Sequence, residues 1–295
     1  MLEKIAIGDA YGMGREFAKP DLLECRPNDG RTYFPHPFHA IAAGRYTDDT
    51  QMSLAVAEVL LDKGAEASAL DFANAFVRAF GRDPRLGYSS GFHALLCQVE
   101  NGFDLLARIK PNSIGAGSAM RACPIGWLPD RRDVEAVAEV QARVTHDTVE
   151  GVTAAQAAAL AAHFAIHELG PRQDLRAWVV DRLGDKARVL QTPHRGQVPN
   201  EGLPAVNAAL TAIEAGDTLT GILKVSVAFG GDVDTVAAVA LGVGSHLLGA
   251  EADDLDPSLV ENLEHGPWGR ACLADLDERL SSTFAPMRGE SEPFP

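Results

Sequence analysis

The sequence has few cysteines, and no two of them lie close together along the chain. The four are Cys25, Cys97, Cys123 and Cys272. Without a Cys-x-x-Cys pair, a zinc ribbon or a dithiol redox motif is excluded, and a chain of 295 residues needs no disulfide framework to hold a core. We therefore expect reduced, mostly buried cysteines that serve in packing.

Basic runs and long apolar runs are also missing. The chain carries 41 Asp and Glu against 26 Lys and Arg, for a net charge of -15. Such a surface repels phosphate backbones and anionic lipids, so we expect neither nucleic-acid nor membrane binding. No stretch approaches the roughly 18 apolar residues of a membrane span, and the first residues lack the pattern of a signal peptide, so we expect a cytoplasmic location. A phosphorylated ligand would need local positive charge, which metal cations would supply.

Alternating β-branched segments typical of strands are essentially absent, and helical patterns take their place. In segment 47–64, Thr47 is a suitable N-cap, and Met52, Val56 and Leu60 follow the spacing of one helical face. Comparable amphipathic or alanine-rich segments lie at 68–80, 90–100, 117–128, 132–143, 152–169, 173–183, 203–215, 218–228 and 232–249.

These segments predict an all-α fold, a compact orthogonal multi-helix bundle. Hydrophobic residues make up 46% of the chain, which suffices for a large core. Neither loop-rich region, 18–46 or 184–202, is expected to link separate domains. We therefore expect a single domain over 1–283, a flexible tail rich in Pro and Glu over 284–295, and a monomer.

Two acidic motifs stand at predicted helix starts. The first is Tyr46-Thr47-Asp48-Asp49-Thr50, whose carboxylates and hydroxyls offer only hard oxygen ligands, as Mg²⁺ or Mn²⁺ prefers. Taken alone, this motif is better explained as an N-cap with acids that complement the helix dipole.

The second acidic motif is Gly230-Gly231-Asp232-Val233-Asp234-Thr235. Its two carboxylates, spaced i and i+2 around a glycine turn, can point into one pocket, and a capping role explains this motif alone equally well. If the two helices pack side by side, four carboxylates converge, and like charges at such distances need cations or protons. Together the motifs predict a binuclear metal site.

Two glycine-rich segments are less specific on their own. GDAYGMGREF at 8–17 places small residues and acids on a helix-to-loop segment without the Rossmann spacing. GAGSAMR at 115–121 is a turn that opens a helix, a geometry suited to holding a diphosphate with backbone N–H groups. No strand precedes it, so a Rossmann interpretation fails.

In combination these motifs resemble the ADP-ribosylglycohydrolase family, whose members remove ADP-ribose from arginine in dinitrogenase reductase or act on serine-linked or acetylated ADP-ribose. The matching segments follow in order along nearly the whole chain: GDAYGMGREF at 8–17, YTDDTQM at 46–52, GAGSAMRACPIG at 115–126, TH at 145–146 and GGDVDT at 230–235. The resemblance implies an all-α hydrolase that uses two Mg²⁺ or Mn²⁺ ions and acts on ADP-ribose or an ADP-ribosylated protein.

The resemblance also implies roles for individual residues. The implied metal ligands are Thr47, Asp48, Asp49, Asp232, Asp234 and Thr235. The implied catalytic residues are Glu16, Asp48 and Asp234. The implied substrate-binding residues are Tyr88, Gly115, Gly117, Ser118, Met120 and His146. Cleavage at the ribose anomeric carbon passes through an oxocarbenium-like state, with Glu16 or a paired aspartate activating water.

Some positions depart from the family pattern. Ala116 stands where many relatives carry asparagine. The loop Asp83-Pro84-Arg85-Leu86-Gly87-Tyr88 resembles the Pro-x-x-Gly-Tyr loop of the serine- and acetyl-directed branch. The dinitrogenase-reductase branch carries an aspartate near the position of Arg85, and its absence here weakens an arginine-specific interpretation.

Other interpretations stay open. The chain is alternatively a catalytically inactive ADP-ribose-binding or crystallin-like protein, or a dimetal hydrolase of another ribosyl conjugate. His163 and His167 have the i, i+4 spacing of a metal pair, but without an acidic partner they are better explained as part of a helix face. His36 and His39 either line a substrate entrance or shape a turn.

Overall fold

The computed structural model describes residues 1–284. They contain fifteen α-helices and five short 3₁₀ segments, joined by loops. The predicted all-α class is confirmed, with 65% of the chain helical and no sheet among the described residues. The helices are α1 (Leu2–Gly12), α2 (Pro20–Glu24), α3 (Asp48–Lys63), α4 (Ala69–Arg82), α5 (Ser90–Leu96), α6 (Gly102–Arg108), α7 (Gly117–Met120), α8 (Arg131–Arg143), α9 (Val149–Ile166), α10 (Leu175–Leu183), α11 (Gly202–Ala215), α12 (Leu219–Ala228), α13 (Val233–Leu247), α14 (Pro257–Glu261) and α15 (Arg270–Thr283). The 3₁₀ segments are Gly64–Glu66, Cys123–Trp127, Arg172–Asp174, Gly184–Gln191 and Ala250–Ala252. Apart from Phe284, the predicted tail lies outside the described residues.

Helix α9 lies in the middle of the core. Alanine dominates its sequence, and small side chains let the neighbouring helices approach it closely. In the described part of the chain it is the one helix long and apolar enough to cross a membrane, with 18 residues and a mean hydropathy of 1.3. Because 78% of it is buried inside the protein, it serves here as a core helix.

Helix α1 packs against α13 at very short distance because two glycines on α1 face its partner. A Cβ atom at Gly8 would lie 2.3 Å from the carbonyl oxygen of Ala237, and one at Gly12 would lie 2.4 Å from the Cα of Asp234. Both distances are far below van der Waals contact, so only glycine permits this approach. The contact places the C-terminal end of α1 beside the first turn of α13.

The predicted helix over 117–128 is wrong in its second half. Helix α7 ends at Met120, and Cys123–Trp127 forms a 3₁₀ segment. Pro124 has no N–H to donate to the preceding turn, and its ring would clash with a helical backbone, so the α-helix cannot continue through it.

The four cysteines are free, but the expectation that they are mostly buried is wrong. Cys123 is buried and Cys272 is half-buried, whereas Cys25 and Cys97 are exposed.

Candidate active site

Three distant parts of the chain bring carboxylates to one place. Asp48 and Asp49 open α3, Asp232 is the N-cap residue of α13, and Asp234 lies in its first turn. Glu16 follows α1. Carboxylate oxygens of Glu16, Asp232 and Asp234 all lie within 4.8 Å of one another. We call these five residues the acid cluster.

A direct hydrogen bond joins the two acidic motifs. The hydroxyl of Thr235 on α13 donates to Oδ1 of Asp49 on α3 at 2.9 Å. The two helix starts therefore lie side by side, as the paired motifs predict.

Asp9, on α1, holds the start of α3 in place through hydrogen bonds. It is fully buried and accepts hydrogen bonds from the backbone N–H and hydroxyl of Thr47, both at 2.9 Å, and from the same two groups of Thr50, at 3.1 and 2.6 Å. Burial raises the pKa of Asp9 to about 6, although these hydrogen bonds favour the carboxylate. Asp9 thus anchors the first acidic motif to α1.

The start of α13 is held by a close backbone contact. Gly231 has φ +87°, and a Cβ atom there would lie 1.9 Å from the carbonyl oxygen of Val198. That oxygen accepts from the N–H of Asp232 at 3.1 Å, and the Gly231 oxygen accepts from the N–H of Phe17 at 2.9 Å. Glycine at position 231 therefore allows one turn to fix the backbone beside both Asp232 and Glu16.

The acid cluster concentrates negative charge in a buried place. Burial raises the pKa of Asp48, Asp49 and Asp234 well above the usual value and that of Asp232 to about 7. The carboxylate of Glu16 adds to the shift for Asp232 and Asp234. Within residues 1–284, no lysine or arginine forms a salt bridge with these four aspartates, and only the buried guanidinium of Arg121 lies close enough to Asp48 for the two charges to attract.

Two oxygens of the acid cluster lack any hydrogen-bond partner among the described residues. They are Oδ2 of Asp232 and Oδ1 of Asp234, and both are buried. Buried polar atoms are almost always satisfied, so these two require an explanation. Carboxylate and hydroxyl oxygens are what hard divalent cations prefer, and the residues present therefore fit a metal site.

Glu16 is held by His36. Nε2 of His36 lies 2.7 Å from Oε2 of Glu16, while Nδ1 accepts from the backbone N–H groups of Phe38 and His39 at 3.0 and 3.1 Å. Because Nδ1 accepts, the proton sits on Nε2 and is donated to the carboxylate. Of the two alternatives for His36 and His39, the structure thus places His36 in a turn and in contact with the acid cluster.

A cavity of about 880 Å³ extends from the acid cluster. Most of the residues that the sequence predicts for the site line it: Glu16, Tyr88, Gly115, Gly117, Met120, His146, Asp48, Asp49, Asp232, Asp234 and Thr235. Its other end is lined by apolar and basic side chains, among them Phe92, Ile109 and Lys110.

Two predicted site residues do not line the cavity. Ser118 is fully buried and its hydroxyl donates to the carbonyl oxygen of Gly151 at 2.8 Å, so that side chain is already engaged. Thr47 is 1% exposed and its hydroxyl donates to Asp9. On the side of Asp49, the Thr47 oxygen accepts from the backbone N–H of Asp49 at 3.4 Å, as the N-cap of α3.

Arg85 is engaged away from the cavity. Its guanidinium forms ion pairs with Glu264 and Asp83, donates to the carbonyl oxygen of Tyr46 at 2.7 Å, and lies 3.5 Å from the centroid of the Tyr46 ring. Arg85 therefore neutralises both of the acids that it contacts, Asp83 and Glu264.

Gly87 and Tyr88 bring the same loop onto the site. Gly87 has φ +116°, and a Cβ atom there would lie 2.1 Å from Oδ1 of Asp48. The hydroxyl of Tyr88 donates to Oε1 of Gln51 at 2.7 Å. Glycine at position 87 thus lets the loop close over the start of α3.

His146 lies against the glycine-rich turn. A Cβ atom at Gly117 would lie 3.4 Å from His146 Nε2, and one at Gly115 would lie 3.8 Å from it. Asn200 borders the same turn, with Oδ1 3.4 Å from the N–H of Ala116. The turn opens α7, which has only four residues.

His163 and His167 lie outside the cavity. Their rings are 4.3 Å apart, and Nδ1 of His163 is 3.2 Å from the carbonyl oxygen of Gly126. No acid joins them in a metal-binding group among the described residues. The prediction of a partly exposed helix face fits His167, which is half-buried at the C-cap of α9, but is wrong for His163, which is 3% exposed.

Three residues of the site had no predicted role. Asn200 and Arg121 line the cavity, and Asp9 accepts hydrogen bonds from Thr47 at the start of α3. Asp9 stands inside the quoted segment 8–17 and was detectable as an acid on the buried face of an apolar helix. Asn200 lies in an irregular loop, where no local pattern distinguishes it.

Nearly the whole chain is similar to proteins of one known family. Residues 5–289 match the family model described as ADP-ribosylglycohydrolase. The ADP-ribosylarginine hydrolase Tri1 of Pseudomonas putida (strain GB-1) is 27% identical over 277 residues, which cover 88% of this chain and 72% of that protein. The ADP-ribosylhydrolase ARH3 of Homo sapiens is 28% identical over 261 residues, which cover 70% of this chain and 71% of that protein.

A solved structure of an ADP-ribosylglycohydrolase-related protein complex has the same fold. It superposes with a TM-score of 0.73 at 22% identity, over 96% of this chain and 95% of that one. The match of the family model, which spans nearly all residues including the acid cluster, is decisive. The chain belongs to the ADP-ribosylglycohydrolase family.

Proposed function

We propose that the protein hydrolyses the glycosidic bond between ADP-ribose and an acceptor, and that two Mg²⁺ or Mn²⁺ ions bind in its acid cluster. The observation that carries the proposal is the convergence of carboxylates from three chain regions, four of them buried and that of Glu16 half-buried, with two unsatisfied oxygens, on the lining of a cavity of about 880 Å³. A group of this kind is unstable without cations, because burial and mutual repulsion both disfavour ionised carboxylates.

The metal-holding residues are Asp48, Asp49, Asp232, Asp234 and Thr235. Their donors are hard oxygens, which favours Mg²⁺ or Mn²⁺ over softer metals. When bound, the ions supply Lewis-acid charge that orients the ribose diol and acidifies water.

The chain's own groups supply the remaining chemistry. Glu16 lies at the edge of the acid cluster, is half-buried, and is held by the Nε2–H of His36. A carboxylate fixed in this way serves as the base that removes a proton from the attacking water. The cavity that continues towards Gly115 and His146 holds the ADP part of the substrate.

We further propose an acceptor without positive charge, such as a serine or acetyl linkage, over an arginine linkage. The loop at Arg85 lacks an unpaired carboxylate, because Asp83 and Glu264 both pair with Arg85 itself. A guanidinium at this edge of the site would therefore find no free partner on the loop. The Pseudomonas relative is named an ADP-ribosylarginine hydrolase, so the type of acceptor linkage has to be tested directly.

The test is release of free ADP-ribose from arginine-, serine- and acetyl-linked substrates, with and without added Mg²⁺ or Mn²⁺. We expect metal-dependent release that Asp234→Asn lowers by about a hundred- to a thousandfold, the order of effect seen when a group that stabilises the transition state is lost. The matched control is Asp275→Asn, which changes an exposed acid on α15 and leaves the rate unchanged.

Full activity of Asp234→Asn would contradict the metal assignment. Binding of ADP-ribose without release from any substrate would instead support the inactive binding protein. Release from the arginine linkage alone would reject the proposed acceptor but not the reaction.

A further inference from the structure

A buried arginine borders the cavity and forms no salt bridge in the described part of the chain, although the charge of Asp48 acts on it from a distance. Arg121 is 1% exposed. Its Nε donates to Oε1 of Gln141 at 2.6 Å, and Nη2 donates to the carbonyl oxygen of Gln141 at 3.1 Å and to the hydroxyl of Thr145 at 2.8 Å. The guanidinium carbon also lies 4.3 Å from the centroid of the Phe76 ring. The guanidinium is thus fixed in position and direction.

The contact with Arg121 decides how the Thr145 hydroxyl is used. Arginine only donates hydrogen bonds, so the Thr145 oxygen accepts from it and keeps its own proton for another partner. Nδ1 of His146 lies 2.6 Å from that oxygen. Within residues 1–284 the hydroxyl proton has no other acceptor in reach, and Thr145 is only 6% exposed. The hydroxyl therefore donates to Nδ1.

A histidine that accepts at Nδ1 carries its proton at Nε2. Nε2 of His146 faces the glycine-rich turn, 3.4 Å from where a Cβ atom at Gly117 would stand. The side chain lines the cavity, and the described residues offer Nε2–H no acceptor. Burial, with the charge of Arg121, lowers the pKa of His146 to about 3, which keeps the ring neutral near neutral pH.

We propose that Arg121 and Thr145 are positioning residues that fix His146 as an Nε2–H donor to a hydrogen-bond acceptor of ADP-ribose. The inference rests on the proposed function for the identity of the ligand. The order of the three side chains rests on hydrogen-bond directions within the protein alone. Glycine at 115 and 117 leaves the space beside Nε2 open for the ligand.

The first part of the test is nitrogen NMR of the ligand-free protein labelled in its nine histidines, at neutral pH. The ¹⁵N chemical shifts of protonated and unprotonated ring nitrogens differ, so the tautomer of each neutral ring is readable. We expect His146, assigned by its loss in His146→Asn, to be a single Nε2–H tautomer. A ring protonated at Nδ1, or a mixture, would overturn the proposal without any reference to the ligand.

The second part compares two substitutions of Thr145 by calorimetric titration with ADP-ribose. Thr145→Val removes the hydroxyl at similar volume, and we expect it to weaken binding about tenfold, the loss of one well-placed hydrogen bond. Thr145→Ser keeps the hydroxyl, and we expect near wild-type affinity and the same tautomer. Thermal melting of both variants shows that each is folded under the titration conditions.

The outcomes separate the two proposals. Equal affinity of the valine variant and the wild type would overturn the positioning role. Absence of ADP-ribose binding in the wild type would reject the proposed function, and the NMR result would still decide the tautomer. If the valine variant does not fold, the NMR result on the wild type alone decides.

Discussion

At the scale of the residue, His36 divides two tasks between its two nitrogens. Nδ1 accepts from two backbone N–H groups and so shapes the turn at 36–39, while Nε2–H holds the carboxylate of Glu16. The side chain of His36 is 1% exposed, so water cannot replace either contact. Loss of the donor and loss of the acceptor therefore have different effects.

The substitutions His36→Gln and His36→Asn separate these effects. The amide nitrogen of glutamine reaches the place of Nε2, whereas the amide oxygen of asparagine reaches only that of Nδ1. We expect His36→Gln to keep most of kcat and to lower stability, and His36→Asn to keep stability and to lower kcat about tenfold or more, as for a lost general-base contribution. Steady-state kinetics on the best substrate and urea unfolding of both variants measure this.

The opposite pattern, with kcat retained in the asparagine variant, would show that His36 shapes only the turn. KM is the internal control, since His36 does not line the cavity and the residues proposed to hold the ADP part of the substrate should bind it as before.

The four aspartates of the acid cluster were predictable from the sequence because they stand in two short motifs whose residue types have a direct chemical meaning, whereas the role of Glu16 followed only from the family resemblance. The contacts of Thr47, Ser118 and Arg85 were not predictable, because all three side chains are turned to partners far away in sequence. Thr47 bonds to Asp9, Ser118 to Gly151 and Arg85 to Glu264. Periodicity along one segment carries no information about such partners.

At the scale of the element, the position of the site depends on the contact between α1 and α13. Gly8 and Gly12 are spaced i, i+4 and so share the face of α1 that meets α13. Helix α1 carries Asp9 on its buried side, and Asp232 is the N-cap residue of α13. The separation of the two helices therefore sets the separation of the carboxylates.

The substitution Gly12→Ala tests this contact. The added Cβ would lie 2.4 Å from the Cα of Asp234. Because the backbone fixes the position of both atoms, no change of rotamer relieves the clash. We expect a loss of roughly 1–3 kcal/mol in the free energy of unfolding, as for overpacked cores, together with lower hydrolysis. Urea unfolding monitored by circular dichroism measures the first, and ADP-ribose release the second.

Gly81→Ala is the matched control. Gly81 lies in α4 with no atom within 4 Å of the added Cβ, so the same exchange should stabilise the protein slightly, by up to about 1 kcal/mol. An unchanged unfolding midpoint for Gly12→Ala would mean that α1 and α13 can separate at no cost.

Helix positions were predictable where apolar periodicity was continuous, as in α3 and α13. Helix α15 was not predicted, although Leu273, Leu276 and Leu280 are buried at i, i+3 and i+7. Charged residues between them mask this stripe. The end of α7 was set by Pro124, a local backbone effect that apolar spacing does not represent.

At the scale of the whole molecule, the carboxylates whose pKa is raised most lie together in one buried place. Burial raises the pKa of Asp232 to about 7 and that of Asp9 to about 6, from a usual value of 3.8. The folded, ion-free protein therefore keeps protons that the unfolded chain releases, and its stability falls as pH rises from about 4 to 7. A divalent cation at the proposed site would displace the protons of its ligand carboxylates, so that its stabilising effect would grow as pH rises.

Thermal melting with and without Mn²⁺ tests this linkage. We expect the ion-free protein to melt at lower temperature at about pH 7.5 than at about pH 5, and Mn²⁺ to raise the melting temperature mainly at the higher pH. In Asp232→Asn the pH dependence should be flatter and the effect of Mn²⁺ smaller. An equal effect of Mn²⁺ at both pH values would contradict binding at these carboxylates.

The predicted single domain over 1–283, the cytoplasmic location and the monomeric state stay predictions. Location depends on cellular sorting and oligomeric state on protein concentration, and neither follows from the packing of one chain. The predicted family and all-α fold, by contrast, are confirmed.

The hydrogen bond between Thr235 and Asp49 joins positions 186 residues apart in the sequence. The proposed metal site takes ligands from both segments, so a nascent or partly denatured chain that has not yet joined them would lack the complete set. Each active molecule in a population has already completed its long-range folding.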